Sequence, residues 1–179
     1  MNQHLRSSIR SGIAKIGTRV VLVIAIGATI GCDRVTKQIA EAKLVGMPRQ
    51  SFMADTIRLE YVENTGAFLG LGAEWPPAVR TAFFGIGNGV LLLAMVALAI
   101  RRRWPTLALF GVAFFIAGGS SNLVDRMTRG SVIDFMNVGL GPLRTGIFNV
   151  ADMAIMLGAG LVILAGYHAD KQARTENST

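Results

Sequence analysis

Asp134 in "SVIDF" and Asp152 in "FNVAD" are carboxylates set in an otherwise apolar stretch. Two Asp side chains sharing one partly desolvated pocket cannot easily both ionise, so one keeps a proton and the pair holds an acid and a base together. That combination can drive water against an amide carbonyl. Amides and charges that could support it recur along the chain: Asp33, Lys37, Asn64, Asn122, Asp125, Arg126 and Asn149. Each also has a plainer use. Asn149 suits a helix N-cap, which would place Asp152 in a first turn favoured by the helix dipole. Asn122 and Arg126 are one helical repeat apart with Asp125 beside them, a pattern that an interhelical hydrogen bond and an interfacial ion pair also satisfy. Asp33 and Lys37 form a favoured i,i+4 pair that could simply anchor a helix end. Asp134 is the least easily explained away, because its neighbours are Val132, Ile133 and Phe135 and no cation lies closer in sequence than Arg129.

The elements that must position these groups are membrane helices. Of 179 residues, 51% are hydrophobic and only 16% charged, with a mean hydropathy of +0.47, well beyond an ordinary soluble domain. With Cys32 as the one cysteine and only His4 and His168, no internal disulfide or familiar zinc cage can be assembled, so redox and zinc chemistry drop out and no metal or other cofactor is expected. A bilayer crossing needs about 20 mostly apolar residues. The stretches that qualify predict spans at about 17–37, 79–100, 104–125 and 147–169, the first relying on Arg19, Arg34 and Lys37 snorkelling to the interface. The expected fold is an all-α membrane protein with four transmembrane helices, a single polytopic domain over 1–179, and a disordered polar tail from about 171 to 179.

The net charge of +7 does not point to nucleic acid, because the basic residues mark topology. Arg6, Arg10, Lys15 and Arg19 precede the first span, Arg101, Arg102 and Arg103 link the second and third, and Lys171 and Arg174 follow the fourth. These segments share one side, which the positive-inside rule makes cytoplasmic, with both termini. The outer loop of about 38–78 then holds "TIRLEYVENTGAFLGLG", where apolar residues alternate until Asn64-Thr65-Gly66, predicting strand, turn and strand in a small extracytoplasmic β-sheet region. Trp75 suits the lipid–water interface. Every carboxylate and amide singled out above falls on the outer side, at a span end or in an outer loop, and polar groups near the bilayer core are functional candidates by default. Residues Arg19–Cys32, ending "TIGC", could alternatively be a cleaved leader, but three further spans and the polar residues after Cys32 favour a retained helix with Cys32 as a small buried side chain.

Taken in order, "DRVTK" at 33–37, "NTGAF" at 64–68, "GGSSNLVDR" at 118–126, "VIDF" at 132–135 and "FNVAD" at 148–152 resemble the motifs of the bacterial lipoprotein signal peptidases, the signal peptidase II family of membrane aspartic peptidases. The resemblance implies an endopeptidase that removes the signal peptide from diacylglyceryl-modified prolipoproteins by cleaving before the lipidated Cys. It implies Asp134 and Asp152 as the catalytic pair, and Asn64, Gly66, Asn122, Arg126, Asn149, Asp33 and Lys37 as substrate-binding or supporting residues, with Asp125 structural beside them. Ser120 and Ser121, where relatives often carry smaller or apolar residues, and the single Ala67 of "NTGAF" depart from the family pattern and bear only on substrate fit. The implied setting is the bacterial inner membrane, as a monomer among lipids, with the site at the extracytoplasmic face. A small ion-coupled transporter would also keep carboxylates in helices, though with a path of them toward the cytoplasm, and a non-enzymatic scaffold is a further alternative.

Overall fold

Helix ends in this chain fall where glycine and proline put them. The computed structural model describes residues 3–66, 72, 74–101 and 104–176, with side chains from residue 16 to 175. Helix α1 (Gln3–Leu44) stops at Gly46, whose φ of +73° an L side chain resists, followed by Pro48. Helix α2 (Pro77–Arg101) starts with proline in its first turn, where no backbone N–H is needed. Helix α3 (Thr106–Arg129) follows Pro105 and ends at left-handed Gly130, whose N–H returns to the Arg126 carbonyl. Helix α4 (Val150–Glu176) begins after Asn149. All four are long and apolar enough to cross a membrane.

The boundaries differ from the sequence reading where the chain lacks a breaker. Nothing halts α1 at residue 37, so the segment expected to open the outer loop, 38–44, is helical and buries Ala40 and Leu44 against Ile133 and Phe135. Pro77 and Ala78 likewise belong to α2 rather than the loop. The tail predicted as disordered from 171 is helical through Glu176, because "KQAR" is built of good helix formers with no glycine or proline; residues 177–179 lie outside the described residues. Cys32 is exposed on the outward face of α1, not buried. Within α2, Thr81–Gly87 winds as a π-helix, a form that collects at functional sites.

The small sheet has more contributors than the outer loop alone. Strands β1 (Gln50–Phe52), β2 (Ile57–Asn64), β3 (Val132–Leu140) and β4 (Leu143–Arg144) are antiparallel in the order β1-β2-β3-β4. The strand predicted beyond Asn64-Thr65-Gly66 falls largely on 67–71, outside the described residues, and β2 pairs instead with β1 and with β3 from the third loop. Register places Val62 opposite Asp134 and Asn64 opposite Val132, so Asn64 and Asp134 are diagonal neighbours on one face. The register shifts between Leu59 and Val62, an irregularity of the kind that re-aims side chains near sites.

Helices α3 and α4 touch through small residues. Ala117 and Ala151 are fully buried, and a Cβ built on Gly158 would stand 2.5 Å from the Gly111 carbonyl oxygen. Lipid offers little hydrophobic drive between helices, so such close packing supplies much of the association. Gly158→Leu should therefore destabilise the protein by about 2 kcal/mol through overpacking, while Gly160→Leu, which meets nothing within 4 Å, should stay within about 0.5 kcal/mol. Thermal unfolding in detergent checks this; equal midpoints for the two variants would refute the contact.

Candidate active site

Strand β3 delivers Asp134 and the first turn of α4 delivers Asp152. Asp134 is buried, with 3% of its surface exposed. Its Oδ2 accepts a hydrogen bond from Asn64 Nδ2 at 2.9 Å and its Oδ1 one from Asn149 Nδ2 at 2.6 Å. Asn149 also caps α4. Its Oδ1 accepts the Asp152 N–H at 2.9 Å while Asp152 Oδ2 accepts the Asn149 N–H at 3.2 Å, a reciprocal capping box. The plain capping reading of Asn149 and Asp152 is thus correct but incomplete. Asp152 Oδ1 accepts from Asn122 Nδ2 at 2.9 Å, and Asn149 bonds both carboxylates, one through its side chain and one through its backbone. Burial pushes the Asp134 carboxyl up to about 6, against the pull of the Asn64 donor, and the negative charge of Asp152 adds to the rise.

Behind the pair stands a buried ammonium. Lys37 Nζ donates to Asn122 Oδ1 at 2.8 Å and to Asp125 Oδ2 at 2.7 Å, and pairs with Asp33 Oδ2 at 2.7 Å. Its side chain is 3% exposed, so it does not snorkel; two carboxylates and an amide on α1 and α3 replace the water it would otherwise seek. Asp33 is fully buried and accepts Ser121 Oγ at 2.6 Å and the Ala151 N–H at 2.9 Å, binding α1 to α3 and α4. Arg34, read from sequence as an interfacial anchor, pairs with Asp125 and donates to the Ser121 carbonyl at 2.9 Å. Ser121 and Arg34 are members of the network that sequence reasoning missed. Both lie inside quoted motifs, but nothing in either motif says that they meet.

The outer loop is tied down by two arginines. Gly66 N–H donates to Asn64 Oδ1 at 2.9 Å, closing the turn that aims the Asn64 amide at Asp134. Arg126 Nη2 donates to the Gly66 carbonyl at 2.8 Å and its guanidinium lies 5.9 Å from the Phe84 ring centre. Arg80, another residue the sequence did not single out, donates from Nη1 to Thr65 Oγ1 at 2.9 Å. Openings that reach this cluster differ in character. A polar cleft of about 520 Å³ between Arg58, Glu60, Arg144 and Asn137 reaches Asp134. An apolar one of about 480 Å³ between Phe83, Phe84, Leu91 and Phe115 reaches Asn122 and Arg126. A third, of about 240 Å³ between Ile147, Phe148, Met153 and Met156, reaches Asp152. Asp134 therefore borders a polar cleft and Asp152 an apolar one, with a second apolar cleft beside Asn122.

Removing Lys37 leaves two carboxylates buried without their shared cation, which costs about 3–5 kcal/mol. Lys37→Met should lower the unfolding midpoint in detergent by a correspondingly large margin, and a near-neutral result would contradict the network. The raised Asp134 carboxyl adds a pH effect. Its proton is held more tightly in the folded state than in the unfolded chain, so its stabilisation is fully present below the ordinary Asp range near 3.8 and is lost as pH rises through about 6. Relative to Asp134→Asn, the native protein should gain stability as pH falls through that window; parallel midpoint-against-pH curves would refute it.

Comparison with known proteins identifies the family. The family model described as signal peptidase (SPase) II matches residues 24–168. The lipoprotein signal peptidase of Desulforapulum autotrophicum is 31% identical over 156 residues, covering 86% of this chain and 94% of that one. That of Citrobacter koseri is 33% identical over 118 residues, covering 66% and 73%. A bacterial membrane enzyme solved by the in meso method at 2.3 Å superposes with a TM-score of 0.74 at 22% identity, covering 85% of this chain and 90% of that one, and so shares the fold. These likenesses lend nothing to a transporter. The chain belongs to the signal peptidase II family of membrane peptidases.

Proposed function

We infer that Asp134 and Asp152 are the catalytic pair of this peptidase, and that the bond they hydrolyse is the one preceding the lipidated Cys of a diacylglyceryl-modified prolipoprotein. The single observation that carries the assignment is Asn149, which bonds both carboxylates, Asp134 beside a polar opening and Asp152 beside an apolar one. One carboxylate takes a proton from water as the water oxygen attacks the scissile carbonyl carbon. The other, protonated, donates to the carbonyl oxygen. The tetrahedral intermediate then collapses, the C–N bond breaks, and the pair returns a proton to the departing amine, leaving a signal peptide carboxylate and a free cysteine amine. Each Asp has an oxygen oriented by an Asn donor, Asn64 on Asp134 and Asn122 on Asp152. Asn64, Gly66, Asn122, Arg126 and Asn149 are read as binding or orienting groups, and Asp33, Lys37 and Asp125 as the support that fixes them.

The membrane setting belongs to the same reading. The four apolar helices support a multi-pass protein of the bacterial inner membrane. We read residues 1–179 as one monomeric membrane domain with both termini cytoplasmic and with the sheet and the carboxylate pair at the extracytoplasmic face, a reading supported by the charge asymmetry of the loops. The apolar openings then face lipid and suit the signal peptide and acyl chains, while the polar cleft faces water and suits the released chain.

Asp134→Asn and Asp152→Asn should each abolish release of the signal peptide from a lipidated precursor in detergent, lowering kcat by at least about a thousandfold with the fold retained. Turnover near the native rate by either variant would overturn the assignment.

A further inference from the structure

Asn88 has no place in the machinery described so far. It lies in the uncharged middle of α2, directly after the π-helical turn, and lines the apolar cleft of about 480 Å³ together with Phe84, Leu91, Asn122 and Arg126. Phe84, Asn88 and Leu91 follow helical spacing, so one face of α2 presents two apolar side chains with a carboxamide between them. Among the described residues nothing hydrogen-bonds that carboxamide. The same cleft holds a second unmet donor: Arg126 Nε is buried and has no partner among the described residues, although Arg126 Nη2 is engaged by Gly66. A polar group at membrane depth without a partner forgoes the hydrogen bond it would make in water. Two of them converge on one opening, and its wall includes Asn122, whose amide holds Asp152 Oδ1 at 2.9 Å.

A signal peptide crossing the bilayer as a helix has its backbone groups satisfied internally. To offer a peptide bond to Asp134 and Asp152 it must unwind near that bond, which frees N–H and C=O groups in a region where no water replaces the lost partners. The geometry points to Asn88 as a substrate-binding residue that takes up this freed backbone: its Nδ2 donates to a carbonyl, and its Oδ1 accepts an N–H, of the residues just before the scissile bond, with Arg126 Nε donating to a neighbouring carbonyl. The flanking Phe83, Phe84, Leu91 and Phe115 hold the apolar side chains of the same segment. Asn88 thereby helps set which signal peptides can unwind productively, since the cleft rewards an extended backbone and not a continuous helix. This rests on the reading of the chain as a peptidase for membrane-embedded signal peptides.

The test uses the full-length protein in detergent and a synthetic diacylglyceryl-prolipoprotein peptide, with Asn88→Leu and Asn88→Gln. Cleavage of this peptide by the native protein, and its absence in Asp134→Asn, first establishes the underlying reaction; failure there would strike the proposed function and not this inference. Asn88→Leu should keep or raise the unfolding midpoint, because it removes an unpartnered amide from an apolar cleft, while kcat/KM falls about tenfold, the equivalent of one hydrogen bond of about 1.4 kcal/mol. Asn88→Gln should recover part of the loss. Peptides carrying an ester in place of the amide two, three or four residues before the scissile bond supply the decisive readout. At one of these positions the ester should cost the native protein about tenfold and cost Asn88→Leu nothing further. Unchanged kcat/KM in Asn88→Leu would overturn the inference, and so would equal ester penalties in both proteins at every position.

Discussion

A lysine ammonium enclosed at membrane depth governs the arrangement of everything around it. Lys37 lies on α1, yet its partners Asn122 and Asp125 are on α3, and Asp33 beside it reaches the α4 backbone at Ala151. An ion in such surroundings is tolerated only when each of its donors and each facing carboxylate oxygen is matched. The matching requires three helices to stand at fixed heights and rotations relative to one another. That same constraint orients an amide beside the carboxylate pair: Asn122 receives Lys37 on its oxygen and so must turn its NH2 group toward Asp152. The charge cluster thereby acts as a register mark for the site.

The remaining positioning comes from close backbone approach and from the sheet. Gly111, Gly118 and Gly158 let the backbones of α3 and α4 approach closely, which brings Asn122 within reach of the α4 N-terminus. The strands contribute the other half, since β3 carries Asp134 and β2 ends in the turn whose Asn64 holds it. Arg126 and Arg80 bind that turn to α3 and α2. Each carboxylate of the pair therefore comes from a different structural layer, and Asn149 joins the layers.

Much of this was legible in the sequence, and the boundary of legibility has physical causes. Span number, the strand at Ile57–Asn64 and the capping role of Asn149 follow from local rules: apolar length, alternation and the side-chain chemistry of a helix start. The motif order named the family. The extent of α1 and α4 was underestimated because polar but helix-favouring residues carry no stop signal. The partners of β2 were not readable, since β3 arrives from a segment some seventy positions later in the chain. From sequence Lys37 and Arg34 read as interfacial anchors, because nothing in their motif shows that Asp125 waits on another helix. Ser121 and Asn88 illustrate the same limit, for a hydroxyl or an amide inside an apolar span declares its partner, or its lack of one, only after the helices are packed.

The central claim is that Asp134 and Asp152 act as one coupled acid–base pair. A carboxyl-stretch infrared titration of the native protein and of Asp152→Asn in detergent tests it without substrate. The charge of Asp152 contributes to raising the Asp134 carboxyl to about 6, so replacing Asp152 with Asn should move the Asp134 titration to lower pH. An Asp134 midpoint that stays where it was would show two carboxylates that do not sense one another, and the account of a shared proton would fail.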